Sequence, residues 1–204
     1  MPRIAPGASS DGRRRRSEQS RAKIVEAMLS LVREGKIVPT AEEVAARADI
    51  GLRSVFRHFA DMEMLRSEMV GQVAQTYMKW LTPFEGDDWR DQLKQLISRR
   101  ASAYEETLPF KRAAEVRRLK SSAIGSEFDR INMLMRSRLK SVLPEEFTSQ
   151  TILFETLDLA LSVDAWQRLR EDQNLSIEDA RKAIYLLVKA ILMQANLQLD
   201  VDTN

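Results

Sequence analysis

The sequence has no cysteine, one histidine, seven glycines and six prolines among its 204 residues. Without cysteine it has no disulfide and no thiolate metal ligand, which fits a reducing cytosol. Few glycines and prolines mean few tight turns, and therefore favour helices over sheets. No apolar run reaches the ~18 residues that span a membrane, and the start lacks the apolar core of a secretory signal. We expect a packed, helical, cytoplasmic protein without a cofactor or metal.

The positive charge is concentrated in the first part of the chain. Hydrophobic residues make up 44% and charged residues 30%, as in packed and soluble proteins, and the net charge is only +2. Residues 1–60 hold twelve Lys and Arg against seven Asp and Glu, a net charge of +5, whereas the other residues have a net charge of −3. This distribution is typical of a DNA-binding head on a nearly neutral body.

The segment 40–59, TAEEVAARADIGLRSVFRHF, predicts two short helices joined by a tight turn. Thr40 is placed to cap the first helix, and Glu43 to complete a capping box. The second helix turns Val55 and Phe59 inward. The side chains left on its outer face are Arg53, Ser54, Arg57 and His58. Because such donors suit phosphates and base edges in a major groove, the segment predicts a helix-turn-helix that binds DNA.

Residues 1–16 have no apolar periodicity and are rich in Pro, Gly, Ser and Arg, so we expect a flexible arm. Its last four residues are Arg13, Arg14, Arg15 and Arg16. Such a run is ordinarily solvated, but directly before a DNA-binding unit it is equally suited to phosphates or a narrow minor groove. The first helix is expected to begin at Ser17 or Ser20 and to end at Gly35.

Apolar periodicity in the other residues predicts further helices, about nine in all, and an all-α fold class. The fourth helix opens at Asp61, and the fifth at Asp87 or Asp88. The expected helix breaks lie at Pro83, Gly86, Leu108–Pro109, Gly125 and Pro144. One helix is expected over residues 145–170, and Ser176 is expected to cap the last helix.

The last two helices carry apolar faces that are wide for a single packing partner. Two such faces suit a four-helix bundle made with a second copy of the chain, and the alternative is an intramolecular core. The residues expected in the dimer interface are Leu153, Leu157, Leu161, Ile184, Leu187, Val188, Ile191 and Leu192.

The stretch AEEVAARADIGLRSVFRHFADMEML resembles the DNA-binding head of the TetR family of bacterial transcriptional regulators. The residues that match the frame of that head are Ala45, Ala48, Ile50, Val55, His58, Phe59 and Leu65. The resemblance covers residues 20–66. It implies a homodimer with a three-helix head, an effector-binding body and dimerisation through the last two helices. The expected domains are a basic arm over 1–16, a helix-turn-helix domain over 17–60, and a ligand-binding and dimerisation domain over 61–204.

Four departures from the family pattern predict a thinner phosphate clamp. Asp49 stands where the family has a turn glycine, and tolerates a positive φ better than most residues. Gly51 replaces a capping serine. Phe56 replaces a tyrosine whose hydroxyl meets a phosphate, and Met62 replaces a lysine.

The resemblance places Arg53 where the family reads base edges, and arginine binds guanine bidentately. The full predicted DNA-binding set is Thr40, Arg53, Ser54, Phe56, Arg57, His58 and Arg13 to Arg16, each with an ordinary surface role as the alternative. The residues expected to line an effector pocket are Trp80, Phe84, Trp89, Tyr104, Phe110, Phe128, Met133 and Trp166, with core packing as the alternative. The single histidine provides neither a metal site nor a catalytic triad.

These features predict a ligand-responsive regulator that binds a pseudo-palindromic operator as a homodimer and is released by a small-molecule effector. Repression is the expected outcome, with activation left open. The alternative is an architectural or weakly specific DNA-binding protein that relies on the arginine run. An enzyme is not expected, because no paired carboxylates, metal-ligand cluster or phosphate loop supports one.

Overall fold

A computed structural model describes residues 8–118 and 122–199, with side chains described over 12–115 and 125–199. Within these residues it contains ten α-helices and no strand, so the all-α class is confirmed with one helix more than expected. The helices are α1 (Ala8–Arg33), α2 (Ala41–Ala48), α3 (Leu52–His58), α4 (Met62–Met78), α5 (Trp89–Arg118), α6 (Ser122–Val142), α7 (Glu145–Thr148), α8 (Thr151–Ala160), α9 (Val163–Gln167) and α10 (Ile177–Gln194). A 3₁₀ turn (Lys79–Leu81) follows α4, and a π-helical segment (Arg168–Asp172) follows α9.

The chain divides into two compact units. The N-terminal unit comprises Met1–Val73 and Pro109–Gly125, and the C-terminal unit comprises Ala74–Leu108 and Ser126–Asn204. The division falls within α4, α5 and α6, and therefore differs from the boundary expected after residue 60. The first turns of α4 belong to the N-terminal unit, where Leu65, Met69 and Val70 are buried.

In the N-terminal unit, α1, α2 and α3 pack against one another. The side chains that fill the space between them come from the apolar stripes of the sequence. The most deeply buried are Ile24, Val25, Met28, Val32, Val44, Val55, Phe59, Leu65 and Met69. The helix α1 ends as expected at Gly35, whose φ of +93° is the left-handed conformation that glycine adopts at helix ends.

The C-terminal unit has one continuous apolar core built from both of its chain segments. Its fully buried members are Leu93, Leu139, Phe147, Leu157, Val188, Leu192 and Leu199. Two expected caps are confirmed. The Arg90 amide donates to Asp88 Oδ1 at 2.9 Å at the start of α5, and the Asp179 amide donates to Ser176 Oγ at 3.0 Å at the start of α10.

The expected arm without regular structure is wrong for residues 8–16, which form the first turns of α1. Arginine is a good helix former, and this stretch gains local support from Arg14, whose Nε lies 3.0 Å from Glu18 Oε1 one turn later. The Nε of Arg16 also donates to the Gly12 carbonyl at 3.1 Å. Residues 1–7 lie outside the described residues.

Three other expected boundaries are wrong. The helix α5 continues through Pro109, where burial of Leu108 and Phe110 offsets the missing amide donor. The helix α6 continues through Gly125, because one glycine costs a helix only about 1 kcal/mol. The single helix over 145–170 is divided into α7, α8 and α9. Ser162 causes the last break, since it takes extended backbone and its hydroxyl caps the Ala165 amide at 3.1 Å.

Over the residues that the structure describes, no helix is long and apolar enough to cross a membrane. The same residues contain no group of three or more His, Asp or Glu side chains placed to hold a metal ion.

Candidate nucleic-acid interface

The start of α2 is fixed by a reciprocal capping box. Thr40 takes extended backbone, and its hydroxyl accepts from the Glu43 amide at 3.3 Å while Glu43 Oε2 accepts from the Thr40 amide at 2.8 Å. Lys36 Nζ lies 2.6 Å from Glu43 Oε1, and with the Thr40 amide it lowers the pKa of Glu43. The Thr40 hydroxyl is therefore engaged within the protein, and a carboxylate sits beside it. This arrangement gives Thr40 a capping role and does not favour a phosphate at the same place.

The turn between α2 and α3 uses the residue predicted to carry a positive φ. Asp49 has φ 53° and ψ 49°, so the left-handed conformation falls on the aspartate that replaces the family's glycine. The Ile50 amide donates to the Ala45 carbonyl at 3.0 Å and closes the end of α2. Gly51 then takes extended backbone before α3 without a side-chain cap, as its lack of a side chain requires.

The short helix α3 separates an anchored face from an exposed one. Val55 and Phe59 are each 1% exposed and hold it against the unit's core. Arg53, Phe56 and Arg57 lie on the outer face, and the Phe56 ring is 46% exposed. A large exposed aromatic ring between two exposed cations is unusual on a protein surface, because it leaves apolar area in water. Ser54 is half-buried on the same helix.

Arg21 holds the end of α3 and was missed from the sequence. Its guanidinium donates to the His58 carbonyl at 2.9 Å and to Glu68 Oε2 at 3.0 Å, and lies 4.2 Å from the centre of the Phe59 ring. One side chain of α1 thus joins the last turn of α3 to α4. Arginine in an apolar stripe of α1 was the available signal, but its partners lie too far along the chain for periodicity to identify them.

His58 is half-buried, and its Nε2 is buried without a hydrogen-bond partner among the described residues. Burial lowers the pKa of His58 below its ordinary value of 6.5, and the charges of Arg57 and Arg21 lower it further. The imidazole is therefore kept neutral in the free protein. An anion that reached Nε2 would supply the missing partner and favour the protonated form.

The four predicted arginines of the first segment lie on α1 and are exposed. Arg14 and Arg16 already have intrahelical partners.

Arg47, on α2, is paired with a carboxylate. Its guanidinium forms two contacts of 2.6 Å with the Glu34 carboxylate, and this pairing lowers the pKa of Glu34. Arg53 and Arg57 form no ion pair with any carboxylate in the part of the chain that the structure describes. Met62 is half-buried at the start of α4, so an apolar side chain occupies the position of the family's lysine.

The residues predicted to line one effector pocket are not brought together. Phe110 belongs to the N-terminal unit and is buried, and Met133 is 65% exposed on α6. Neither lines the cavities described below, so a pocket role for them stays a prediction. Tyr104 and Trp166 are buried in the C-terminal core, while Trp89 packs against it. Phe128 is half-buried on α6 and lines none of the cavities described below. Trp80 and Phe84 line a narrow cleft of their own.

A larger cavity, of about 350 Å³, lies within the C-terminal unit. Tyr77, Arg100 and Tyr104 are its most buried lining residues. Burial raises the pKa of both tyrosines, so they are neutral phenols near neutral pH. The Tyr104 hydroxyl donates to the Leu161 carbonyl at 2.9 Å, at the end of α8. Of the predicted pocket residues, Tyr104 is the one that lines this cavity.

Five of the eight predicted interface residues are wrong, because the protomer's own core buries them: Leu157, Leu161, Ile184, Val188 and Leu192. Their burial removes them from any surface that a second copy could contact. Leu153 and Ile191 are half-buried against the same core, and Leu187 is 46% exposed. The exposed large apolar residues of α8 and α10 are instead Ile152, Leu159, Ile177, Leu186, Leu187 and Met193, with exposed fractions between 45% and 76%.

No family model matches the chain, and no curated protein matches it. Solved structures do. A transcriptional regulator from Rhodococcus sp. Rha1 has a TM-score of 0.66 at 15% identity, over 87% of this chain and 96% of that one. A Rhodococcus sp. protein assigned to the TetR family of transcriptional regulators has a TM-score of 0.64 at 15% identity, over 85% and 99%. The multidrug binding protein EbrR, complexed with imidazole, has a TM-score of 0.56 at 18% identity, over 91% and 93%. The chain therefore has the all-helical fold of the TetR-family transcriptional regulators.

Proposed function

We propose that the protein is a DNA-binding transcriptional regulator that acts on a pseudo-palindromic operator as a homodimer and is released by a small molecule. The observation that carries the proposal is the two-sided helix α3. Its inner face is fixed by Val55 and Phe59, and its outer face presents Arg53, Phe56 and Arg57 to solvent. The fold shared with transcriptional regulators supports the same conclusion.

In this proposal α3 lies in the major groove and each exposed side chain has a distinct task. Arg53 donates to guanine O6 and N7, which gives base specificity. Arg57 contacts a phosphate, Phe56 packs on a sugar or a thymine methyl, and His58 Nε2 meets a phosphate oxygen. Ser54 assists at the backbone. Thr40 serves to hold α2 in place.

We further propose that α8 and α10 dimerise through their exposed apolar residues. Ile152 and Leu159 are seven residues, or about two helical turns, apart on α8. Leu186 and Met193 have the same spacing on α10, so each helix presents an exposed apolar stripe along one face. Helices α8 and α10 pack against each other, and in this proposal their two stripes together form one patch. A second copy supplies the same patch, as a twofold interface requires. Two heads then meet major grooves roughly 34–36 Å apart.

The dimer is tested with Leu186→Glu. Its matched control is Met133→Glu, which places the same charge on an equally exposed apolar residue of α6, outside the patch. Analytical ultracentrifugation at micromolar concentration should show a dimer for the wild type and for Met133→Glu, and a monomer for Leu186→Glu. A wild-type monomer, or a dimeric Leu186→Glu, contradicts the proposed interface.

The cavity of about 350 Å³ in the C-terminal unit is the proposed effector site. It has the size of small-molecule sites, and its lining combines apolar side chains with polar ones that include the carboxylates of Glu155, Asp158 and Asp164. EbrR, which shares the fold, is a multidrug binding protein. An effector in this cavity would contact Tyr77, at the end of α4, and thereby bias the conformation of that helix.

An architectural DNA-binding role is the second candidate, favoured by the exposed arginines at the start of α1. Such a protein takes its affinity from phosphates, so its salt dependence would be as steep on random DNA as on a selected site.

In-vitro selection of the preferred DNA sequence tests the main proposal. A palindromic site would support recognition by the helix-turn-helix, binding as a dimer and the expected spacing of the two half-sites together. Arg53→Ala should weaken binding to the selected operator by about 1–3 kcal/mol, which corresponds to roughly fivefold to 150-fold. Arg47→Ala is the control, since Arg47 is exposed but paired with Glu34. Unchanged affinity and sequence preference for Arg53→Ala would falsify the assignment of α3 as the recognition helix.

A further inference from the structure

Three arginines converge at the end of α4 in the C-terminal unit. Arg99, on α5, donates to the Thr82 carbonyl at 2.6 Å and to the Pro83 carbonyl at 3.1 Å. Arg138, on α6, donates to the Leu81 carbonyl at 3.1 Å and also to the Thr82 carbonyl. Arg100, next to Arg99, donates to the carbonyls of Leu161 and Met135. All three guanidinium groups are thus held by main-chain oxygens.

None of these three guanidinium groups forms an ion pair with a carboxylate of the described residues. Among the ion pairs of the described residues, none includes Arg99, Arg100 or Arg138, whereas most other arginines of the structure have an acidic partner. Arg99 and Arg138 even share the Phe84 ring, at 4.9 Å and 4.1 Å from its centre. Burial lowers the pKa of Arg138, and the charge of Arg99 lowers it further. Like charges held together and partly desolvated are costly unless an anion joins them.

A buried donor points to the same place. Trp80, half-buried in the 3₁₀ turn after α4, has an indole Nε1 that is buried without an acceptor among the described residues. A buried donor left unpaired is destabilising, because it has lost its hydrogen bonds to water without gaining an acceptor in the protein. Trp80, Phe84, Arg99, Arg100 and Arg138 all line one cleft, together with the apolar Leu96 and Met135. Its enclosed volume is about 20 Å³, enough for one or two oxygen atoms and too small for a whole organic molecule.

We propose that this cleft binds the carboxylate of an organic monoanion, whose body lies at the mouth against the aromatic side chains. A planar carboxylate matches the fork of a guanidinium group, and its second oxygen would accept from Trp80 Nε1. Carboxylate is favoured over phosphate because the walls between the cations are apolar and the enclosed space is small, whereas a phosphate dianion keeps more of its water.

The bound carboxylate would compete with the carbonyls of residues 81–83 for Arg99 and Arg138. Its binding would therefore loosen the contacts that hold the end of α4, and this regulatory consequence rests on the proposed function. The binding itself does not, since it requires no DNA. Failure of DNA binding and failure of this site can thus be told apart.

The test uses the full chain and three probes: benzoate, its neutral isostere benzamide, and inorganic phosphate, in a buffer free of other oxyanions. Isothermal titration and thermal shift should show saturable binding of benzoate, with a raised Tm, and none of benzamide. Equal binding of benzamide would show that charge is not recognised, and tighter binding of phosphate would show that the site takes a different anion. Either result overturns the proposal, and so does the absence of benzoate binding.

Variants localise the site. Arg138→Gln should weaken benzoate binding at least about tenfold, and Arg90→Gln should not, although Arg90 also donates to a carbonyl, at 2.9 Å, and lies on a tryptophan ring. Trp80→Phe removes the unpaired donor and keeps a ring, so it should leave the free protein folded yet weaken benzoate severalfold. Trp89→Phe is its control for lost ring area. Unchanged benzoate affinity in Trp80→Phe contradicts the proposed geometry, even if Arg138→Gln fails to fold.

Discussion

Two sets of arginines, one in each unit of the protein, are held in different ways. In the N-terminal unit, Arg21 and Arg47 are paired with Glu68 and Glu34, and these pairs join one helix to another. In the C-terminal unit, Arg99, Arg100 and Arg138 are held by main-chain carbonyls at the ends of helices.

This difference separates structural cations from cations whose charge remains available. A guanidinium bound bidentately to a carboxylate has its charge neutralised, so it contributes little field to a ligand. A guanidinium bound to carbonyls keeps a full charge. By the same criterion Arg53 and Arg57 of α3 are available to DNA, whereas Arg47 is not.

The largest expected effect is on stability, and it comes from the most buried of the arginines that main-chain carbonyls hold. Arg100 is 6% exposed, and Arg100→Ala leaves a cavity and takes donors from the Leu161 and Met135 carbonyls. We expect a loss of about 2–5 kcal/mol in the free energy of unfolding, measured by urea denaturation. Arg47→Ala should change stability far less, because its side chain is exposed. Equal losses in the two variants would break the comparison.

A smaller effect is expected for Arg21→Gln, which removes the contacts with the His58 carbonyl, the Phe59 ring and Glu68. A cation–π contact and a hydrogen bond of this kind are each worth about 1 kcal/mol. Operator affinity should fall severalfold, measured by fluorescence anisotropy, because α3 loses its attachment to α1. If stability falls and affinity per folded molecule stays constant, Arg21 supports the fold without positioning α3.

The smallest expected effect concerns His58. The pKa of His58 is lowered in the folded protein, so folding favours the neutral imidazole. The folded state therefore has its full stability above pH 6.5, the ordinary pKa of histidine. As pH falls from 6.5 towards the lower folded pKa, the unfolded chain takes up the proton first and stability declines. The Tm of wild type should therefore drop more than that of His58→Gln between about pH 7 and pH 5. Parallel Tm profiles would mean that His58 is not linked to folding.

For operator binding, the pH dependence that comes from His58 should have the opposite sign to that of stability. A phosphate oxygen at Nε2 favours the protonated imidazole, so affinity should rise as pH falls through this range, and His58→Gln should lack the rise. The comparison of wild type with His58→Gln therefore tests the proposed contact between His58 and DNA without a change in the fold.

The local features of the helix-turn-helix were predictable because each depends on a few consecutive residues. The capping box needs only Thr40 and Glu43, and the positive φ at Asp49 follows from the turn between two helices. The inward positions of Val55 and Phe59 follow from the period of a helix.

The C-terminal unit shows where periodicity stops being informative. The stripes of α8 and α10 correctly indicated helices, but they did not show which stripe the protomer buries. Leu157 and Val188 were expected at the interface and lie in the core, while Ile152 and Leu186 are the exposed ones. When a helix is apolar on two sides, its sequence does not show which side faces the protomer's own core. Only tertiary packing decides this.

By itself, then, the sequence determined the helical class, the caps and turn of the helix-turn-helix, and the outward positions of Arg53 and Arg57 on α3, because main-chain hydrogen bonds and φ angles are set locally. Ser54 and His58 were also expected to point outward, and tertiary packing leaves both half-buried. Tertiary structure decided the partners of Arg21, which lie 37 and 47 residues away, and the convergence of Arg99 and Arg138 at the end of α4. Those contacts join helices far apart in the chain, and their geometry exists only after the helices have packed.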